Sequence, residues 1–197
     1  MRLIFHTEHS VEEFSTQNSK LFPKPQQRCP FKDCALPIEL KKHGYYTRYF
    51  VSKTFSGILY IRRYICPVCG RTISMLPVFL LPKFQYSGLD IIQMLHELFQ
   101  GGSTLKRYVE GIRQCFPAMD RRHINYYKKR ILENREFIQY GLNLISPEFI
   151  SVGSIPENQV WVKEFLDIVH RIQPHVFLVD FYQKTGESFM TLQNMVA

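Results

Sequence analysis

Four of the five cysteines in this 197-residue chain fall into two pairs, Cys29-x4-Cys34 and Cys66-Pro67-Val68-Cys69, with residues 35–65 between them. A pair of thiolates on a tight turn supplies half of a tetrahedral metal shell, and two such turns close it. The ion then takes the place of a hydrophobic core that so short a segment is unable to build. In the second pair Pro67 stiffens the turn, and Gly70 is free to take the positive φ that aims backbone N–H groups back at a thiolate. The first pair is looser, yet it stays within the spacing of roughly two to four residues found in zinc sites.

Disulfides, or four unrelated buried thiols, are the alternative readings. The chain is expected to lack a secretory signal and to be cytoplasmic, where thiols stay reduced and paired cysteines usually mean metal. Cys29, Cys34, Cys66 and Cys69 are therefore the candidate ligands of one structural Zn²⁺, in a small zinc ribbon. Four sulfur ligands leave no open position for water or substrate, so the ion is not expected to be catalytic. His43 reads as a loop or surface residue, and Cys115 as a small buried hydrophobe.

The net charge of +8 is unevenly placed. Residues 141–197 hold three Lys/Arg against six Asp/Glu, a balance of −3, which leaves 22 against 11, or +11, for residues 1–140. Such an excess attracts a polyanion, of which nucleic acid is the common one. The longest apolar run, Leu76–Pro82, is too short to span a bilayer, so no membrane partner is expected.

Along the chain the expected class is α+β. Residues 1–27 read as an N-terminal segment and proline-rich linker, with a short helix after Ser10. Residues 28–82 form the ribbon: Tyr45–Val51 and Ile58–Ile65 are rich in β-branched and aromatic residues, with Gly57 in the break, and predict an antiparallel hairpin. From Arg28 to Arg71 there are nine Lys/Arg against Asp33 and Glu39, so tyrosines and the candidate phosphate contacts Arg48, Arg62, Arg63 and Arg71 share one small sheet.

Residues 83–141 change to a helical period. One helix is predicted over Gly88–Gln100 with Leu89, Ile92, Leu95, His96 and Phe99 inward; a second follows Ser103 or Thr104 with Leu105, Tyr108, Val109 and Ile112 inward. Asp120 then caps a third, running to about Tyr140 on the stripe Ile124, Tyr127, Ile131 and Ile138. Three such helices make a helix-turn-helix unit. Arg121, Arg122, Asn125, Tyr126, Lys128 and Lys129 lie largely off the stripe near the start of the third helix, where a recognition helix meets base edges. Residues 142–197 predict a mixed α/β segment: a capping box Ser154-x-x-Glu157, a helix to His170 with Trp161, Phe165, Ile168 and Val169 inward, then strands at Val176–Asp180 and Ser188–Leu192 around a Lys184-Thr185-Gly186 turn.

Together, Cys29-x4-Cys34, Lys42-His43-Gly44-Tyr45-Tyr46-x-Arg48, Arg62-Arg63-Tyr64-x-Cys66-x-x-Cys69-Gly70-Arg71-Thr72 and the helices that follow resemble the front end of bacterial insertion-sequence transposases, and small bacterial proteins with the same ribbon and helix-turn-helix order. The resemblance covers about residues 28–140. It implies recognition of a DNA end or operator, with the four cysteines on zinc and the third helix as reader, and it supplies no catalytic residue. A non-enzymatic, sequence-specific binder of double-stranded DNA is thus the leading expectation. Its acidic C-terminal segment would serve homodimerisation or docking to a separate transposase or other protein. One alternative is a truncated transposase fragment in which Asp180, at a strand end, is the first of several metal-holding carboxylates. The other is a ribbon adaptor that binds RNA or protein.

Overall fold

The computed structural model describes residues 1–17, 20–147 and 157–191 and is α+β, with seven helices and a four-stranded sheet among those residues. It divides into two compact units, one of residues Met1–Val51 and Phe55–Leu80, the other of Ser52–Thr54 and Leu81–Ala197. Among the described residues no helix is long and apolar enough to cross a membrane.

The first unit is built on strands β1 (Arg2–Phe5), β2 (Lys41–Val51), β3 (Ser56–Ile65) and β4 (Thr72–Pro77), in the order β1-β4-β3-β2. β1 runs parallel to β4, and the remaining pairs are antiparallel. Alternation along the strands sends successive side chains to opposite faces. Phe50, Leu59, Ile61 and Leu76 therefore meet Phe14, Phe79 and Leu80 on one face, where Phe14 comes from helix α1 (Val11–Gln17). Tyr64, Ile73 and Met75 take the other face, with Leu40, Cys29 and Cys66. α1 opens on a reciprocal cap: Ser10 N–H donates to Glu13 Oε2 at 2.7 Å, and Glu13 N–H to Ser10 Oγ at 3.2 Å.

Two expectations change here. Residues 1–27 are no separate segment and linker, because Arg2–Phe5 pairs along Ser74–Pro77, Phe22 packs against both apolar clusters, and the Tyr64 hydroxyl donates to the Pro23 carbonyl at 2.8 Å. Gly57 lies within β3, paired with Phe50, and the break in the hairpin falls before Ser56.

The second unit is helical: α2 (Gly88–Gln100), α3 (Leu105–Ile112), α4 (Arg121–Glu133), α5 (Arg135–Ile145), α6 (Asn158–Ile172) and α7 (Pro174–Thr185). Gly102 at φ +59° turns the chain after α2, and Thr104 Oγ1 accepts from Arg107 N–H to open α3. The buried set of α2 is Ile91, Ile92, Met94 and Leu95, rotated from the expected stripe, whereas Ile124, Tyr127, Ile131 and Ile138 are all buried as expected. Phe165, Phe177, Phe181 and Phe189 form an aromatic cluster with several centroid separations between 5.4 and 6.4 Å.

The predicted third helix to Tyr140 is two helices. The break is at Asn134, buried, with φ −98° and ψ 12°, whose amide Nδ2 donates to the Phe189 carbonyl at 2.9 Å. The predicted strand, turn and strand over 176–192 is overturned. Pro174 occupies the start of α7 and Gly186 at φ +75° closes it, so the apolar run Val176–Val179 is helical and buries Phe177, Leu178 and Phe181. A short apolar run has no period that separates a strand from a buried helix turn. Asp180 consequently sits inside a helix, and the strand-end position that suggested a first catalytic carboxylate is gone. Cys115, expected buried, is exposed, and the proposed capping Ser154 and the strand end Leu192 lie outside the described residues.

Candidate metal centre and nucleic-acid surfaces

The first knuckle, Cys29–Cys34, is closed by Cys29 N–H donating to the Leu36 carbonyl at 3.0 Å and Cys34 N–H to the Phe31 carbonyl at 3.0 Å. The second, Cys66–Cys69, follows β3 directly: Cys66 N–H donates to the Arg71 carbonyl at 3.0 Å, and Gly70 N–H to the Cys66 carbonyl at 2.9 Å. Gly70 takes φ +67°, the left-handed conformation read from its place after Cys69. These turns bring the four Sγ atoms within 4.8 Å of one another, with Cys29 to Cys69 at 3.8 Å and Cys34 to Cys66 at 3.9 Å. Four thiolates at about 2.3 Å from one tetrahedral ion stand about 3.8 Å apart, so the donor set fits Zn²⁺ in kind and in spacing. Cys29 and Cys66 are buried and Cys34 and Cys69 partly so, which keeps water from competing for the shell.

Arg71 organises this site. Its Nε donates to Cys69 Sγ at 3.5 Å, its Nη2 binds Asp33 Oδ1 at 2.6 Å, and its guanidinium lies 4.0 Å over the Phe31 ring. One side chain thereby ties the second knuckle to the first. The guanidinium draws the Cys69 thiol down to about 6 and holds the Asp33 carboxyl below its ordinary range, while burial pushes Cys29 up to about 12. Cys69 and Cys29 are thus pushed in opposite directions, and a bound divalent ion would hold all four sulfurs as thiolates. Arg71 was expected among the phosphate contacts; in the structure its Nε is engaged at Cys69 and its Nη2 at Asp33. No signal in the sequence separates an arginine after Cys-Gly that faces phosphate from one that turns back on sulfur.

The other predicted contacts divide by face. Arg48 lies on the Phe50 side of β2, opposite Leu59, and burial lowers its pKa; it is withdrawn from the open surface. Arg63 is half-buried with Nε unpartnered, and Arg62 stacks its guanidinium 4.0 Å over Tyr45. His43 is exposed and apart from the cysteines.

On α4 the Asp120 carboxylate accepts from Arg122 N–H at 2.8 Å and His123 N–H at 3.2 Å, and Asp120 N–H donates to His123 Nδ1 at 3.2 Å. This double cap fixes the helix start. Arg121, Arg122, Asn125, Tyr126 and Lys129 are exposed, whereas Lys128 is half-buried with its ammonium 5.3 Å from the Phe99 ring. Arg122 also pairs with Asp120 at 2.8 Å and Lys129 with Glu133 at 3.6 Å. Arg130 is buried, near Tyr126 and 3.8 Å from Glu133. Residues 113–120 separate α3 from α4, a longer joint than the tight turn of roughly three to four residues in the common helix-turn-helix.

No protein-family model, no curated protein and no solved structure matches this chain.

Proposed function

We propose that the chain is a sequence-specific double-stranded DNA-binding protein, non-catalytic itself, that combines a zinc ribbon with a helix-turn-helix and serves a mobile element or a promoter. The observation that carries this reading is the first half of α4. Arg121 and Arg122 stand in the first turn, at the positive end of the helix dipole, where basic residues are electrostatically disfavoured. No acid lies between Arg121 and Leu132, and Asp120 is engaged as the cap. A polyanion offsets that cost. In a major groove Arg121 and Arg122 suit guanine, Asn125 suits adenine, and Lys129 suits phosphate. The cysteine quartet, in this reading, holds one structural Zn²⁺ through Cys29, Cys34, Cys66 and Cys69, and the ion's part is to close the two knuckles. The likeness of residues 28–140 to the front end of insertion-sequence transposases supports a role at an element end. The acidic C-terminal part then docks a second copy or a separate transposase.

Salt-dependent binding to random duplex, followed by selection of preferred sequences, tests the reading. Affinity should fall steeply with salt and a preferred site should emerge. Arg121→Ala or Asn125→Ala should each cost about 1–3 kcal/mol at that site and relax its sequence preference. Binding that is indifferent to these residues would refute it.

A further inference from the structure

The β2–β3 hairpin has one face closed by the Phe50 cluster, and its other face is covered toward the cysteines, where Tyr64 is buried, and as far as Tyr45, whose ring meets Phe22 at 6.3 Å. Beyond Tyr64 the cross-strand pairs Tyr45–Arg62, Thr47–Tyr60 and Tyr49–Ile58 share that second face. Tyr49, Ile58 and Tyr60 are 50%, 55% and 47% exposed. Single exposed apolar side chains are ordinary, but a contiguous group on a small sheet marks an interaction surface. At its inner end the Arg62 guanidinium covers the Tyr45 ring, and neither the Tyr45 hydroxyl nor Arg62 Nε has a hydrogen-bond partner.

Charge selects the occupant. Residues 40–89 contain no Asp or Glu, and residues 41–65 carry six Lys/Arg. Lys41, Lys42 and His43 stand exposed at the start of β2. A second copy of this face would bring Lys42 and Arg62 against like charges with no carboxylate of residues 40–89 to pair them. A face both aromatic and cationic fits a ligand that offers π surfaces and phosphates together. Duplex DNA keeps its base faces in the stack and satisfies only the cations, whereas unpaired nucleotides satisfy both. Tyr60 and Arg62 are about 6.8 Å apart along the strand, and Tyr49 stands about 7–8 Å from Tyr60 on the diagonal. Each can therefore take its own base.

We propose that this face binds single-stranded DNA, with bases stacked on Tyr49, Tyr60 and the Arg62–Tyr45 pair and phosphates held by Lys42. The proposal rests on the DNA-binding reading and deepens it: α4 takes duplex, and the hairpin takes the unpaired strand beside it, as at an opened element end.

The test is fluorescence anisotropy of the full chain with labelled oligo-dT and, separately, with duplex of equal length. Tyr49→Ala with Tyr60→Ala should weaken oligo-dT binding by about tenfold or more and leave duplex binding within about twofold, since each stacked base contributes through an aromatic ring. Tyr49→Phe with Tyr60→Phe keeps the rings and should restore the parent affinity. If the double alanine variant does not fold, Tyr60→Ala alone should show about a tenfold loss. Arg121→Ala with Asn125→Ala should do the reverse, weakening duplex and sparing oligo-dT. Oligo-dT binding unchanged by the tyrosine substitutions overturns the proposal. So does oligo-U bound about tenfold more tightly than oligo-dT, or a dimer that dissociates in the alanine variant while oligo-dT binding persists. A parent that binds duplex but not oligo-dT removes this inference alone; one that binds neither removes the DNA reading as well.

Discussion

In the sheet unit, the end nearest the cysteines is held by four sulfur atoms and an arginine, with Tyr64, Ile73 and Met75 as its main apolar support. In the helical unit the same task falls to Phe165, Phe177, Phe181 and Phe189 together with Trp161, Val162, Leu166 and Val169, all buried. The two ends therefore depend on different physics. Apolar burial is graded and tolerates partial loss, since stabilisation follows the area removed from water. A tetrahedral thiolate site is close to all-or-none, because removing one ligand or the ion leaves charged or polar sulfur buried without its partner. With an ion held by the four cysteines as proposed, the end of the sheet beside them is the part of the chain whose order the metal would set.

The strongest way to break the comparison is to take the ion away. Chelation, or Cys66→Ser, should abolish order in residues 29–40 and 65–73 while the helices of the second unit melt as before, since structural zinc binding contributes on the order of 10 kcal/mol to folding. Hydrogen exchange resolved by residue reads this directly. Equal protection with and without metal would mean that the sheet unit, like the helical one, stands on packing alone.

A smaller and opposite test addresses the helical unit. Alanine usually exceeds glycine in a helix by about 1 kcal/mol, so Gly141→Ala on α5 would ordinarily stabilise. Here a methyl group would collide with the Phe181 ring, whose Cδ2 and Cζ lie 2.7 Å from the added carbon. Phe181 has no room to retreat, being packed by Phe137, Phe177 and Phe189. We expect Gly141→Ala to destabilise by about 1–3 kcal/mol in thermal denaturation, with metal content unchanged. A rise in melting temperature would show the aromatic core to be looser than its contacts imply.

The sheet unit's site was far more legible in sequence than the helical unit's topology, for reasons that lie in particular residues. Cysteine spacing constrains geometry directly, so all four sulfurs meet as read, and Gly70 takes the conformation expected of it. Asp120 was readable as a cap because its chemistry is local. The helix α7 was missed because Val-Phe-Leu-Val is compatible with either period, although Pro174 before it and Gly186 after it are a helix's start and stop signals. That Arg48 takes the Phe50 side of β2 and Arg71 turns back on Cys69 and Asp33 was not legible, because charge says nothing about which face a side chain takes or what it turns back upon. β1 was read as detached because a four-residue strand finds its partner, β4, only in the fold.

Arg71 sharpens the comparison within the sheet unit. If it serves the cysteines as its contacts indicate, Arg71→Ala should lower metal affinity by about ten- to a hundredfold in competition with a chelator, the usual effect of removing a hydrogen bond to a ligand. Duplex affinity measured with metal in excess should then be little changed. The reverse pattern, with metal held as tightly and DNA lost, would return Arg71 to the nucleic-acid surface.

The smallest expected effect concerns the cap of α4 and has a sign that can be worked out. Arg122 first, then the His123 and Arg122 backbone N–H groups, hold the Asp120 carboxyl well below its ordinary range. A group whose folded pKa is depressed contributes stability that is complete above its unfolded value, about 3.9, and is lost as pH falls through the folded value. Asp120→Asn keeps an oxygen to accept from the helix amides but has no charge to pair with Arg122. The stability difference between parent and variant should therefore be present at pH 5 and shrink below about pH 4, read as converging melting temperatures. Alanine at the same position should lose the cap at every pH and start α4 later, moving Arg121 and Arg122 out of register with Asn125. If Asp120→Asn matches the parent at pH 5, the ion pair contributes nothing, and the backbone hydrogen bonds alone aim the basic first turn.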